Sequence, residues 1–323
     1  MRPAASRARK KGKGCINLLR SAESAACGLG AQFIVKAYNP FQSLSFYPAM
    51  RLSVIIPAHR SHAFIGDALD SLAAQQQPDG LALEVIVVAD DGTDYAHHFT
   101  AARRQALECL SATTGRIAAG PSAARNIGLN RASGDFISFL DADDLWLPGR
   151  AAALLPLADV HGAAVCRMAI TALDAPGTPK LTPVLPKHGH LSPQDSLLID
   201  GGFCPVYRRD CITHTWDEAL DFAEDLLFNH VAVVNAGGLF VHPQPLMHYR
   251  IRPDSATHHM PSASHRAERA YAQMLSRLSP ASGETATLAA CLHRKRRLNA
   301  AYLQAWQQEP GLHFEQFVRA SSP

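Results

Sequence analysis

The sequence predicts an α/β protein with a mostly parallel central sheet, flanked by helices and followed by a helical C-terminal region. Three observations carry this prediction. Leu52-Ser-Val-Ile-Ile56 and Leu83-Glu-Val-Ile-Val-Val-Ala89 are nearly continuous apolar, β-branched runs, the pattern of strands buried on both faces. Between them, Phe64 to Gln75 carries apolar residues at 64, 65, 68, 69 and 72, which is helical spacing. Strand, helix and strand joined by short links imply a right-handed crossover, and therefore parallel neighbours.

Each predicted strand ends in a polar loop. The first runs into Pro57-Ala-His-Arg60 and the second into Asp90-Asp-Gly92, while a third, Phe136-Ile-Ser-Phe-Leu140, is followed at once by Asp141-Ala-Asp-Asp144. Ligands of parallel sheets collect at the carboxyl ends of the strands. Three carboxylates at that rim deliver oxygen ligands to one point, which suits a hard divalent cation carrying phosphates. The competing reading makes these acids the cap of a helix opening at Leu145-Trp-Leu-Pro148, since Asp is a good N-cap.

Further along, Pro and Gly residues between 173 and 189 mark a break, and Cys204-Pro-Val-Tyr-Arg208 reads as a strand. Glu224-Asp225 opens an apolar helical run from Leu226 to Val234, which places both acids in the first turn, where the helix dipole alone favours them. Arg266 to Leu278 and Ala286 to Trp306 read as helices around Ser279-Pro-Ala-Ser-Gly283. His293-Arg-Lys-Arg-Arg297 sets a basic cluster on the second, either a solvated face or a docking surface for an anionic membrane or a partner.

Composition narrows the class. With 323 residues, 47% of them hydrophobic, the chain can bury a sizeable core, and no apolar run reaches the length needed to cross a bilayer, so a soluble, cytoplasmic enzyme is expected. Seven cysteines without CxxC or metal-ligand spacing speak for reduced thiols rather than a disulfide scaffold. Residues 1–50 hold eight Lys and Arg against one acid, and residues 261–323 eight against four, so the stretch from 51 to 260 carries a net −8 within a chain of net +3. An acidic region that binds a diphosphate needs a cation in between. The basic, aperiodic residues 1–49 are expected to be a disordered extension, with Met50 standing directly before the first strand; a nucleic-acid-binding arm is the alternative, and no nucleic-acid partner is expected. Among sixteen histidines none has zinc-ligand spacing with cysteine; His97-His98 and His258-His259 read as exposed pairs, and His248 or His258 as contacts to a diphosphate or metal. Trp146 and Trp216 read as packing residues.

Ser53-Val-Ile-Ile-Pro-Ala58, Glu84-Val-Ile-Val-Val-Ala-Asp-Asp-Gly92, Ala123-Ala-Arg-Asn-Ile-Gly128, Ala132-Ser-Gly-Asp-Phe-Ile137 and Leu140-Asp-Ala-Asp-Asp144 resemble, in order and spacing, the signatures of the family 2 inverting glycosyltransferases with a GT-A, Rossmann-like fold. The likeness covers roughly residues 51 to 150, and Phe222-Ala-Glu-Asp225 with Tyr249-Arg250 extends it to about 260. It implies a catalytic domain over 50–260 and a separate helical region over 261–323. It also implies a nucleotide-sugar donor, a UDP-sugar foremost, a glycan or lipid-linked hydroxyl acceptor, and Mn²⁺ or Mg²⁺ as cofactor.

Carried over residue by residue, the resemblance assigns nucleobase contacts to Pro57, Ala58 and Asp91. Asp90 is the alternative, because Asp90-Asp-Gly-Thr-Asp94 is one residue shorter than the usual segment. Asp141 and Asp143 reach the ribose and the metal, and Asp143 and Asp144 are the metal ligands. Asp225 is the general base, with Glu224 beside it. Arg125 is a second cation for the diphosphate or, equally, a solvated helix residue. The absence of a Gln-x-x-Arg-Trp segment, found in processive synthases of the superfamily, points to single additions. The alternatives are a nucleotidyltransferase, which needs a Gly-rich phosphate loop that Pro57-Ala-His-Arg60 does not supply, and a catalytically silent sugar-nucleotide-binding scaffold.

Overall fold

The computed structural model describes residues 50–75, 80–172, 188–252, 260–278 and 283–321. The 1–49 extension, most of the Pro/Gly break and the His258-His259 pair lie outside the described residues. In chain order the elements are β1 (Met50–Ala58), α1 (Ile65–Ala73), β2 (Leu81–Ala89), α2 (Ala101–Ala106), β3 (Glu108–Thr113), α3 (Pro121–Arg131), β4 (Phe136–Phe139), β5 (Leu145–Trp146), α4 (Arg150–His161), β6 (Ala163–Ala172), β7 (Gly189–Leu191), α5 (Pro193–Ser196), β8 (Val206–Arg208), α6 (Glu224–Ala236), β9 (Leu239–Ile251), α7 (Ser262–Arg277), α8 (Glu284–Gln308) and α9 (Phe314–Ser321).

The strands form one sheet of order β3-β2-β1-β4-β8-β6-β9-β5, with β7 added on β9. From β3 to β4 every pairing is parallel, as the crossover argument requires. Beyond β4 the sheet is mixed: β8 runs antiparallel to β4 and β6, while β9 is parallel to β6 and antiparallel to β5 and β7.

Both faces of the parallel half are covered, which is why its strands are apolar throughout. Leu52, Val54 and Ile56 of β1 face α1 (Ile65, Leu69, Leu72) and α4 (Leu154, Leu155), whereas Ile55 faces α3 and α6 through Ala124 and Phe228. A third cluster joins Leu227 and Val231 of α6 to Ala270 and Met274 of α7 and Leu288 and Leu292 of α8. The C-terminal helices are thereby fastened to the helix that carries Glu224 and Asp225.

Two glycines show how closely this half is packed. A Cβ at Gly134 would lie 2.7 Å from Ser53 N and 2.8 Å from Arg51 O, and one at Gly128 would lie 2.3 Å from Ile55 Cγ2. Glu84, buried in β2, accepts hydrogen bonds from the Ser53 hydroxyl, Ser133 N and the Ser133 hydroxyl, stitching β2, β1 and the loop before β4 together. Burial opposes its charge, but the Ser53 and Ser133 bonds outweigh that and hold its carboxyl below the usual range.

Leu145-Trp146 is a strand rather than a helix opening. Leu145 pairs with His248 and Trp146 with Met247, Leu147 N donates to Leu246 O, and α4 starts only at Arg150, so Asp144 caps no helix. α7 and α8 lie where the periodicity predicts them, and α9 is added. The basic cluster on α8 is largely consumed internally: Arg294 pairs with Asp200, buried Lys295 donates to Ile199 O and Asp200, and Arg296 pairs with Glu268, leaving His293 and Arg297 exposed. The cysteines among the described residues are free thiols, and no helix among them is long and apolar enough to cross a membrane.

Candidate active site

The carboxyl ends of β1, β2 and β4, the N-terminus of α6 and the inner faces of α7 and α8 enclose a cavity of about 710 Å³. Pro57, Ala58, Asp90, Arg125, Asp141, Asp143, Asp144, Glu224 and Asp225 all line it. Asp91 does not.

The two acids after β2 divide their work. Asp90 is buried, and its carboxylate accepts from Ala119 N at 2.8 Å and Gly120 N at 2.9 Å, fixing the loop that leads into α3. Asp91 turns the other way and accepts from Arg60 N (2.7 Å), Thr93 N (3.0 Å), the Thr93 hydroxyl (2.6 Å) and the Tyr95 hydroxyl (2.8 Å). Burial works against its charge, yet these bonds hold its carboxyl well below the usual range. Both carboxylates have both oxygens engaged by their own loops, and the two differ in that Asp90 lines the cavity while Asp91 lies behind it.

In the second cluster, Asp141 is 44% exposed and accepts from Arg125 Nη2 at 2.9 Å. Asp143 is paired with Arg252, Nε to Oδ2 2.8 Å. Asp144 is buried and accepts from Arg250 N at 2.9 Å, while the Arg250 side chain reaches Asp143 O and Asp67 Oδ2. Burial pushes the Asp143 carboxyl up, with Asp141 next in effect; burial, then Asp141 and Asp143, push Asp144 well up. The set is hard oxygen donors under mutual repulsion, which a divalent cation relieves, so the residues fit the expected metal. Asp144 gives Oδ1 to the β9 backbone and Asp143 gives Oδ2 to Arg252, while all three acids line the cavity.

Arg125 is no solvated helix residue. It is buried, donates through Nη1 to Glu224 Oε1 at 2.8 Å and through Nη2 to Asp141, and stacks 4.5 Å over the Trp216 ring. Trp216 is itself held by reciprocal bonds to Asn126, N to Oδ1 at 2.8 Å and Nδ2 to O at 3.0 Å. One guanidinium thus joins the carboxylate cluster to the acid pair on α6, and its Nε is buried without a hydrogen-bond partner. Beside Glu224, Asp225 is pushed up to about 6 by burial and the Glu224 charge.

Three contributors were not read from the sequence. Arg252 left a weak signal, since Tyr249-Arg-Ile-Arg252 puts both arginines on one side of a strand. Asp67 left none. His230, buried on α6, lines the cavity with neither ring nitrogen hydrogen-bonded, and burial lowers it to about 4. His248, expected at the diphosphate, is absent from the cavity wall that Met247 and Tyr249 help to form; strand alternation directs it to the other side.

Residues 53–216, just over half of the chain, match the model of glycosyl transferase family 2. The poly(ribitol-phosphate) β-N-acetylglucosaminyltransferase TarS of Staphylococcus aureus is 28% identical over 222 residues, covering 66% of this chain and 37% of TarS. The succinoglycan biosynthesis protein ExoO of Rhizobium meliloti is 29% identical over 224 residues, covering 63% and 62%. The chain therefore spans only 37% of the length of TarS. Among solved structures, S. aureus TarS 1–349 in complex with UDP-GlcNAc superposes with a TM-score of 0.61 at 21% identity, covering 84% of this chain and 79% of that one. A mannosyltransferase from Pyrobaculum calidifontis in complex with GDP-Man and Mn²⁺ gives 0.55 at 18% identity, covering 86% and 80%. The fold is that of the GT-A glycosyltransferases. The chain belongs to glycosyl transferase family 2.

Proposed function

We propose that this enzyme moves a single sugar from a UDP-sugar to a hydroxyl of a glycan or lipid-linked acceptor, with inversion at the anomeric carbon. The observation that carries the reading is the Arg125 bridge between Asp141 and Glu224, which joins the carboxylate rim to the acid pair of α6 within one cavity. UDP is favoured as the leaving group because solved structures of TarS hold UDP and UDP-GlcNAc. The missing Gly-rich loop and the family match set the nucleotidyltransferase reading aside.

Pro57, Ala58 and Asp90 form the nucleobase end of the cavity. Asp141, Asp143 and Asp144 would hold Mn²⁺ or Mg²⁺, which neutralises charge developing on the departing diphosphate. Arg125, with an unpartnered Nε, offers that diphosphate a fixed cation. Asp225, raised to about 6, is ionised near neutral pH yet basic enough to take the acceptor's hydroxyl proton. The acceptor oxygen then bonds the anomeric carbon from one face while the bond to the diphosphate breaks on the other, which inverts the configuration. Glu224, held by Arg125, orients this wall.

The test is incubation with UDP-sugars and candidate acceptors, reading UDP release and the anomeric configuration of the product by NMR. Divalent-dependent UDP release with an inverted product is expected. A product of retained configuration would refute the inverting step, undiminished turnover in EDTA would refute the metal, and tight UDP-sugar binding without turnover on any acceptor would favour the silent scaffold.

A further inference from the structure

A second cluster lies outside the cavity wall. His62, in the loop after β1, meets His97 and His98 of the 3-10 turn Ala96–His98, and one ring nitrogen from each lies within 4.8 Å of the others. His62 Nδ1 and His98 Nε2 are 3.1 Å apart. Two nitrogens at that separation subtend about 100° at an ion ~2.05 Å from each, close to the tetrahedral geometry of zinc.

The surroundings orient His62 for this role. Its Nε2 lies 2.9 Å from the Thr93 hydroxyl, which donates to Asp91 Oδ1 at 2.6 Å. Having given its proton to the carboxylate, that hydroxyl can only accept. His62 therefore carries its proton on Nε2 and turns the Nδ1 lone pair toward His98, the imidazole-to-carboxylate relay that holds ligands at metal sites. The His62 ring lies flat on buried Tyr95, centroids 4.1 Å apart at 9°, and the Tyr95 hydroxyl returns to the same Asp91. His98 is anchored by Arg103, which donates to its carbonyl at 2.6 Å. His97 is exposed, its ring 4.1 Å from that of His98 and 5.3 Å from that of His62.

We propose that His62, His97 and His98 form a binding site for an imidazole-preferring divalent ion, Zn²⁺ before others, with solvent as the fourth ligand. Its nitrogen donors set it apart from the carboxylate cluster, which suits hard cations. Bound there, the ion ties the loop after β1 to the segment after β2, the two stretches that flank Asp90 and Asp91.

The test is titration of the full, tag-free chain with Zn²⁺ by calorimetry and with Co²⁺ by absorption, alongside thermal unfolding. One Zn²⁺ per chain, a tetrahedral Co²⁺ spectrum and a raised Tm are expected. His62→Ala and His98→Ala should abolish all three, His97→Ala should weaken binding, and Thr93→Val, which breaks the relay from His62 to Asp91, should weaken it about 10- to 100-fold. The Asp141→Asn/Asp143→Asn double variant should bind Zn²⁺ as the parent does. Absence of stoichiometric binding, binding unchanged in His62→Ala, or binding lost in the aspartate variant alone would each overturn the proposal, leaving a stack of imidazoles on Tyr95. Because His62 and His97 are exposed, their variants keep the fold, which circular dichroism checks.

Discussion

On the β1 to β4 side of the cavity, backbone lies close against backbone and buried carboxylates tie neighbouring loops together, whereas an apolar cluster joins α6 to α7 and α8. Gly134 touches the β1 main chain, and Glu84 and Asp90 satisfy neighbouring loops with their carboxylates. Across the cavity, Leu227, Val231, Met274, Leu288 and Leu292 fill space with no polar bond among them. The first kind of contact admits few residue types and leaves motifs. The second admits many, because side chains of similar volume can repack.

The largest expected effect falls where the two walls meet. Asp225→Asn should leave UDP-sugar affinity near the parent's and lower turnover by ~10²- to 10⁴-fold, as measured by UDP release under saturation. In the parent, log kcat/KM should fall with unit slope below pH about 6 and level off above it, since Asp225 acts only when ionised; in Asp225→Asn that limb should vanish. Glu224→Gln should be milder, and an order reversed between these two variants would exchange their roles.

Next comes the bridge itself. Arg125→Met strips the shared cation from Asp141 and Glu224 and should cost about 3 kcal/mol in urea unfolding, the low end for a broken buried pair because Asp141 is partly exposed. Gly134→Ala adds one methyl group against main-chain atoms and should cost about 1–3 kcal/mol. Met274→Leu, a volume-conserving change on the helical wall, should stay below about 1.5 kcal/mol because side chains there can repack. Equal costs for Gly134→Ala and Met274→Leu would erase the contrast between the walls.

The same contrast explains how much was legible in the sequence. β1, β2, β4, α1 and α6 declare themselves through buried runs or helical spacing, and the acids after β2 and β4 stand where strand ends must put them. β9 hides because Pro243 and Pro245 argue against a strand; the sheet accepts them through a register shift beside Arg167, opposite Pro245. β3 hides because it is an edge strand, largely exposed and without strict alternation. The choice between Asp90 and Asp91 turned on which way each side chain leaves its loop, and Arg125 on what waits 99 residues away at Glu224. Composition and periodicity carry neither kind of information. The histidine cluster escaped for the same reason, since His62 is 36 residues from His98.

The long reach of β9 sets the order in which this site can come into being. Asp144 is bonded to Arg250 across 106 residues of sequence, Asp143 is paired with Arg252, and β5 rests against β9. Closing so long a loop precedes any gain from the contacts it makes, so this pairing forms late in folding. During synthesis the parallel strands emerge early with their carboxylates already in sequence, but Asp143 and Asp144 stay side by side without their arginines until residue 252 has left the ribosome. The acidic cluster is thus organised only once β9 has been made, and a product truncated before β9 would carry the family's signatures without that organisation.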